Sequence, residues 1–291
     1  MKLLRVPKFI TAFFSQEQAV FWFSSQELLF IWRKKKRRLL LTHHAGFTHG
    51  QVSDFHEAVT TITSTGEQEG LTTTQPFVFR AAVVFVATDS SPLERKVVRE
   101  VFQKAGFQKV TLVSYATAMR AFGERQAIHT GLGLYVGSDV GEGVVFSPQD
   151  QAGVVLAHSL LAADHEIQLF LREEGKIEVS LETARELYQL MGRRKEIQSH
   201  VVRGRSIQTQ QVTTLALKAS MVETLREFFT QQLMRELQPL MALPLFVQAQ
   251  PNHWVVIGDA FLNQLVQEKY QVNTVYLHSE FELIGGVQWM P

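Results

Sequence analysis

A glycine-rich segment near the middle of the chain constrains the fold more than any other stretch. Residues Gly131 to Ser147 read GLGLYVGSDVGEGVVFS, in which an apolar strand enters a tight acidic turn and a second strand, Val144 to Phe146, leaves it. The turn, Asp139 to Gly143, predicts a β-hairpin. Glycines let backbone amides approach a ligand above such a turn, although most glycine-rich turns only connect strands. A ligand-binding turn and a plain hairpin are therefore both open on this segment alone.

Composition narrows the class of protein. The chain has 291 residues, 45% of them hydrophobic and 20% charged, with a net charge of +1, which is typical of a globular protein with one large domain or two ordinary ones. It contains no cysteine, which excludes disulfides, thiolate nucleophiles and cysteine-ligated zinc. The ten histidines are scattered without metal-ligand spacing, and serine-hydrolase, P-loop and zinc-protease motifs are absent.

The N-terminal region predicts two aromatic strands after an amphipathic start. Met1 to Phe14 has apolar residues at near-helical spacing among cations, which indicates either a short membrane anchor or, because Pro7 interrupts it, a strand lead-in. Ala19 to Phe23 and Leu28 to Trp32 predict a hairpin. The polar break between these two strands rules out a membrane span, which needs about 20 continuous apolar residues.

Six consecutive cations follow the second aromatic strand. Such a run contacts an anionic membrane or another anionic surface, or it forms a solvated loop that keeps an edge strand from pairing. Because the net charge is close to zero and no RNA-binding signature is present, nucleic acid is not expected as a partner. The candidate contact residues are Arg33, Lys34, Lys35, Lys36, Arg37 and Arg38.

The order of the remaining elements predicts a duplicated α/β core. A buried strand at Phe77 to Ala87 leads to a helix that begins with a capping box, Ser91 and Glu94, and a second capping box is predicted at Ser220 and Glu223. A buried strand at His253 to Ile257 runs into Gly258, where a helix begins. Strands, a hairpin and helices occur in both halves, so we expect a first lobe at 1–130 and a second lobe at 131–291.

Six segments, in family order, resemble the actin-fold superfamily and specifically the bacterial rod-shape actin family, MreB. The resemblance implies an α/β, duplicated actin-like (ribonuclease H-like) two-lobed fold that lacks most of the small subdomain of the first lobe, since only the basic run lies between Trp32 and His43. The matching segments are Gly50 to Phe55, Ser91 to Val113, Asp139 to Gly143, Ser180 to Gly192, Val201 to Ile207 and Val255 to Leu262.

The resemblance also implies a nucleotide site for ATP or ADP with magnesium. Several residues depart from the family pattern: Glu142 stands where a glycine approaches phosphate, Tyr188 replaces a lysine near the adenine, and the groups that position the attacking water are replaced by Ser114, Tyr115 and Ala116. We therefore expect weak or lost nucleotide binding, little or no ATPase activity, and no catalytic or metal-ligating residue. The candidate nucleotide-binding residues are Asp139, Gly141, Glu142, Gly143, Glu186, Gly258 and Asp259.

The first phosphate loop of the family falls at about Phe13 to Gln16.

By resemblance, the protein acts in cell shape determination as a cytoplasmic cytoskeletal protein, peripheral at the inner face of the plasma membrane. Its expected partners are further copies of itself or an MreB-type paralogue, and proteins of cell-wall elongation or division. The alternative is a non-polymerising actin-fold adaptor for a division, elongation or pilus assembly complex, and an ordinary ATPase or sugar kinase is a third class.

Overall fold

A five-stranded mixed sheet forms the core of the first half of the chain. The computed structural model describes residues 17–24, 26–32, 35–41, 45–48, 51–70, 80–192, 200–280 and 282–283. The elements of this half are β1 (Glu17–Phe23), β2 (Glu27–Trp32), β3 (Lys35–Leu40), β4 (Phe47–Thr48), β5 (Gln51–Val52), α1 (Phe55–Gln68), β6 (Arg80–Val86), α2 (Pro92–Lys104), β7 (Lys109–Ser114) and α3 (Tyr115–Arg125).

The strand order of this sheet is β3-β2-β1-β6-β7. Strands β1, β2 and β3 form an antiparallel meander, whereas β6 and β7 run parallel to β1. Aromatic rings on one face of the sheet pack against α2 and the residues after it: Phe21 lies 5.0 Å from Phe102 and 5.3 Å from Phe107 between ring centroids. The predicted capping box at Ser91 and Glu94 begins α2, with both reciprocal hydrogen bonds present.

The basic run corrects one expectation. Lys35 to Arg38 do not form a solvated loop but belong to β3, whose four cationic side chains are exposed. Arg33 and Lys34 lie outside the described residues. The strand forms because its apolar end is anchored: Leu39 pairs with Leu28 of β2 and packs against the hydrophobic core. The cations are therefore held on the terminal strand of the sheet among the described residues.

The second half of the chain repeats the same sheet. Its elements are β8 (Gly131–Val136), β9 (Gly141–Phe146), β10 (Gln151–Leu156), α4 (Leu160–Glu173), β11 (Ile177–Glu178), α5 (Leu181–Met191), β12 (Val201–Ser206), β13 (Val212–Ala216), α6 (Ala219–Met241), α7 (Pro244–Ala249), β14 (His253–Ile257), α8 (Ala260–Tyr270) and β15 (Asn273–Leu277).

The strand order of the second sheet is β10-β9-β8-β14-β15. Its meander and its two parallel strands match those of the first sheet strand for strand. The duplication predicted from the sequence is therefore present. A separate three-stranded antiparallel sheet, β11-β12-β13, belongs to this half only. The predicted capping box at Ser220 and Glu223 is wrong, because Lys218 is the N-cap residue of α6 and no side chain caps that helix.

The chain divides into two compact units, Met1–Ala121 with Phe281–Pro291, and Phe122–Glu280. In the described ranges, no helix is long and apolar enough to cross a membrane. Between β3 and α1, the described residues contain only the two-residue strands β4 and β5.

Candidate functional site

The glycine-rich segment forms the hairpin of β8 and β9, with a tighter turn than the sequence predicts. The amide of Gly137 donates to the carbonyl of Val140 at 2.8 Å, so that β9 begins at Gly141 rather than at Val144. Asp139 lies in the turn and is largely buried. A Cβ atom on Gly141 would lie 2.1 Å from the carbonyl oxygen of His158. The glycine is therefore required by the close approach of two backbone segments.

Glu142 is fully buried in the middle of the second sheet. Its relative exposure is 0%, and it pairs with Tyr135 on β8 and Val155 on β10. Gly143, one residue later, lies against the side chain of Leu240, which a Cβ atom would approach to 2.9 Å. The structure therefore places Glu142 and Gly143 inside a packed sheet.

The N-terminus of α4 docks onto the tip of the hairpin. The amide of Leu160 donates to the carbonyl of Gly137 at 2.9 Å, and the amide of Leu161 donates to the carbonyl of Ser138 at 2.8 Å. Ser159 caps the helix by accepting from the amide of Ala162. Amides at a helix N-terminus are a common site for anions. Here the first two of them are bound to the turn.

The turn between β14 and α8 contains the next two candidate residues. Gly258 has a φ of +86°, and a Cβ atom there would lie 2.7 Å from the carbonyl oxygen of Val136. Asp259 is the N-cap of α8, and its Oδ1 atom accepts from the amide of Leu262 at 2.9 Å. The sequence correctly predicted a strand followed by a glycine turn and a helix at this position.

Three buried polar side chains converge behind this turn. The hydroxyl of Tyr188 donates to Oδ2 of Asp259 at 2.5 Å and lies 2.9 Å from Nε2 of His158. Because the single phenolic proton goes to Asp259, the phenol oxygen accepts from His158, which requires the Nε2–H tautomer. The relative exposure of each of the three residues is 3%. They form a closed network in which each side chain is a partner of another.

Burial determines the protonation of Tyr188. Removal from water raises the pKa of its phenol well above the ordinary value, and the negative charge of Asp259 and the hydrogen bond to it raise the pKa further, as does the charge of Asp164. The phenol is consequently protonated at neutral pH and is fixed as the donor to Asp259.

A cavity of about 310 Å³ opens beside the network. Its volume is at the lower end of the range of small-molecule sites. Among the lining residues that the structure describes, Asp259 is the only charged group, and both of its oxygens are already hydrogen-bonded. The lining residues are Leu160, Tyr188, Gln189, Gly192, Gly258, Asp259, Ala260, Phe261 and Tyr276.

A buried arginine supports one wall of the cavity. Arg226 on α6 is 3% exposed and donates to the carbonyl oxygen of Met191 at 2.5 Å, at the C-terminus of α5. It also contacts Glu268 at 3.1 Å, and its guanidinium carbon lies 5.2 Å from the ring centroid of Phe261. Since Phe261 lines the cavity, Arg226 fixes the position of α5 relative to α8 there.

The predicted site residues are thus only partly brought together. Gly258 and Asp259 line the cavity. Gly141 lies against the backbone carbonyl of His158, whose side chain is hydrogen-bonded to Tyr188 in the cavity lining. Glu186 lies on the exposed face of α5 and is not one of the lining residues. No sequence motif predicted a role for His158. Across the described ranges, no group of three or more histidine, aspartate or glutamate residues is arranged to hold a metal ion.

The duplicated topology also identifies the turn in the first sheet that is equivalent to Gly137–Val140. It is the turn between β1 and β2, where the hydroxyl of Ser24 accepts from the amides of Gln26 at 3.2 Å and Glu27 at 3.0 Å. Two amides of this turn are thus bound to a side chain of the same turn. The residues at which the first phosphate loop of the family is expected, Phe13 to Gln16, lie outside the described residues.

Two sheets of identical topology define the class of protein: the chain has the actin-like, two-lobed α/β fold, in a shortened form. It is similar to the structure of MreB5 of Spiroplasma citri bound to ADP, with 11% identity over 94% of this chain and 95% of that one and a TM-score of 0.72.

Two further solved structures share the fold. The chain is similar to the double helical filament of MamK, with 13% identity over 95% of this chain and 100% of that one and a TM-score of 0.70. It is also similar to the ethanolamine utilization protein EutJ from Carboxydothermus hydrogenoformans, with 12% identity, coverage of 93% and 87%, and a TM-score of 0.58. No protein-family model and no curated protein sequence matches the chain.

Proposed function

We propose that this protein is an MreB-like bacterial actin homologue that acts in cell shape determination as a cytoskeletal protein with a degenerate nucleotide site. The fold, which it shares with MreB5 and MamK, supports the cytoskeletal class. One observation in particular supports a degenerate nucleotide site. Tyr188, which stands where the family has a lysine, and Asp259, which stands where the family has the second glycine of a pair near the ring, are hydrogen-bonded to each other at 2.5 Å.

This mutual bond has a chemical consequence for a nucleotide. A polyphosphate needs cations, metal ions or free amides around it. The described lining of the cavity offers one carboxylate and no cation, and the first amides of α4 are occupied by the hairpin. We therefore propose that ATP and ADP with magnesium bind weakly or not at all, and that ATPase activity is little or none. The bound ADP of the MreB5 structure identifies the ligand to test.

Self-assembly is the second part of the proposal. MamK is a double helical filament, and this chain covers all of it at the level of the fold. We propose that the protein assembles with itself or with an MreB-type paralogue and meets proteins of cell-wall elongation or division. We place it in the cytoplasm, peripheral to the inner face of the plasma membrane. The basic run, including Lys35 to Arg38, supplies a contact with an anionic surface, and Met1 to Phe14, outside the described residues, supplies an anchor.

The nucleotide part is tested by thermal unfolding with ATP or ADP and magnesium. A ligand at a hundredfold excess over its Kd stabilises the folded state by about 2.7 kcal/mol, whereas a ligand at its Kd contributes only about 0.4 kcal/mol. We expect no resolvable shift below millimolar nucleotide. A large shift that the substitution Asp139→Ala removes would contradict the degenerate site. A shift that survives this substitution would come from elsewhere in the chain.

A non-polymerising adaptor is the alternative function. It is favoured by the short stretch between β3 and α1, where the described residues contain only β4 and β5. Sedimentation at increasing protein concentration separates the two functions, since a cytoskeletal subunit forms large assemblies and an adaptor does not.

A further inference from the structure

Strand β10 (Gln151–Leu156) is a terminal strand of the second sheet and is uncharged. Among the described residues it pairs with β9 only. Its sequence is QAGVVL, and Val155 is 50% exposed. A terminal strand, with no neighbouring strand on one side, is a template for pairing with another chain, which proteins usually prevent with charge, proline or a covering element.

The duplication provides an internal comparison. Strand β3 has the same place in the first sheet that β10 has in the second. Its sequence, KKRRLL, carries four exposed cations, and a second copy of β3 placed beside it would bring like charges together. Strand β10 itself carries no charge, and the nearest charged residue is Asp150, immediately before the strand. Of the two equivalent strands, only β10 is thus compatible with pairing to its own copy.

The hydrogen-bonding pattern shows which groups of β10 point outward. The amide of Ser147 donates to the carbonyl of Asp150 at 2.8 Å, which fixes the alternation along the β9–β10 ladder. In an antiparallel pair, residues bonded to the neighbouring strand alternate with residues that point away from it. Ala152, Val154 and Leu156 therefore bond to β9, whereas the backbone groups of Gln151, Gly153 and Val155 point away from β9. The outward amide of Gln151 donates to Oδ1 of Asp150 at 2.8 Å, a bond that the proposed pairing would have to exchange.

We propose that β10 pairs with β10 of a second copy of this chain, antiparallel and centred on Gly153. This inference rests on the proposed function only in taking self-assembly as the purpose of the contact. The pairing joins two five-stranded sheets into one, with Gly153 opposite Gly153 of the second copy. A two-fold symmetric contact of this kind closes on itself and gives a dimer, not an open chain.

The strand is complementary to itself in this register. Gln151 lies opposite Val155 of the second copy, and Ala152 lies opposite Val154, so that in each of these two pairs a small or polar side chain faces a valine. Asp150, the charged residue before the strand, lies opposite the apolar Leu156, and no like charges are paired. The register also places every outward-pointing residue of β10 in the new ladder, which a shifted register does not.

The register is tested by charge exchange at one pair of positions. In the variant Gln151→Lys with Val155→Lys, lysines lie directly opposite each other across the contact, about 5 Å apart between their Cβ atoms. In the variant Gln151→Glu with Val155→Lys, opposite charges meet there instead. Within one chain the two positions are about 13 Å apart, so the two introduced charges interact little with each other, and both variants carry a substitution at each position. Analytical ultracentrifugation without nucleotide should show a dimer for the wild type and the Glu/Lys variant, and a monomer for the Lys/Lys variant.

Crosslinking provides a second readout. The chain has no cysteine, so introduced cysteines are the only ones present. Directly opposed residues have Cα atoms about 5.5 Å apart, which suits a disulfide, while Cα atoms more than about 7 Å apart exclude one. Gln151→Cys combined with Val155→Cys should form an intermolecular disulfide under mild oxidation. Val155→Cys alone should not, because its copy lies about 13 Å further along the strand.

A wild type that stays monomeric at all concentrations, or a dimer equally stable in both charge variants, would overturn the proposal. So would crosslinking of the single cysteine variant in preference to the double one. Circular dichroism identifies a variant that fails to fold, in which case the cysteine pair decides. Because these experiments contain no nucleotide, a monomeric result does not bear on the proposal of a degenerate nucleotide site. Equally, a shift in melting temperature with nucleotide does not bear on the pairing of β10.

Discussion

Removing the hydroxyl of Tyr188 is the sharpest test of the buried network. The substitution Tyr188→Phe keeps the ring and removes one donor, which leaves Oδ2 of Asp259 and Nε2 of His158 without the bonds at 2.5 and 2.9 Å. A hydrogen bond to a charged group contributes about 1.5 to 3 kcal/mol. We expect a loss of about 2 kcal/mol in the free energy of unfolding, measured by urea titration at pH 7 with an unchanged slope.

The chain offers a matched control. Tyr270 is also part-buried, its ring lies 4.7 Å from that of Trp254, and its hydroxyl has no hydrogen-bond partner in the described part of the chain. Tyr270→Phe removes the same atom but no bond, so we expect a change close to zero. Equal losses in the two variants would refute the assignment of stability to the network.

The raised pKa of Tyr188 has a consequence for stability in alkaline solution. The pKa of Tyr188 is raised in the folded protein, above the unfolded value of about 10, so the folded state holds this proton more tightly. This contribution is complete below pH 10 and is lost as the pH rises towards the folded pKa, at about 1.4 kcal/mol per pH unit. The gap between wild type and Tyr188→Phe should therefore narrow above pH 10. A gap that stays constant would contradict the raised pKa.

Two further substitutions test how the site is packed. Gly141→Ala places a Cβ atom 2.1 Å from the carbonyl oxygen of His158, so it should lower the free energy of unfolding by about 3 kcal/mol. Gly192→Ala meets only ordinary contacts beyond 3.5 Å and should lower it by less than 1 kcal/mol. Thermal unfolding of the two variants compares these losses. Arg226→Met should cost about 2 kcal/mol in urea, below the usual figure for a broken buried pair, because Glu268 is 41% exposed and stays hydrated. A loss above about 4 kcal/mol would contradict that reasoning.

Local sequence signals predicted the elements that depend on local chemistry. The capping box at Ser91 begins α2, and the glycine-rich segment forms the hairpin of β8 and β9. The same signal failed at Ser220, because Leu217 is buried and the backbone already turns at Lys218, where the amide of Met221 donates to its carbonyl. Tertiary burial thus moved the start of α6 ahead of the residue types that usually cap a helix.

The site was harder to predict because its parts are distant in sequence. His158 and Tyr188 are 30 residues apart, and Tyr188 and Asp259 are 71 residues apart. Periodicity and spacing cannot reveal such a pair. Glu142 illustrates the limit of local signals: its place in the turn predicted a ligand contact, and an early start of β9 carries it into the sheet. A shift of a few residues in the turn was enough to bury it.

The docking of α4 on the hairpin has a consequence for the order in which this region opens. The amides of Leu160 and Leu161 donate to the carbonyls of Gly137 and Ser138, so the turn cannot separate without freeing the start of the helix. Exchange of these amides with deuterated solvent reports that opening directly. The turn and the first turn of α4 should exchange together, as one unit, and more slowly than an exposed loop of the same length.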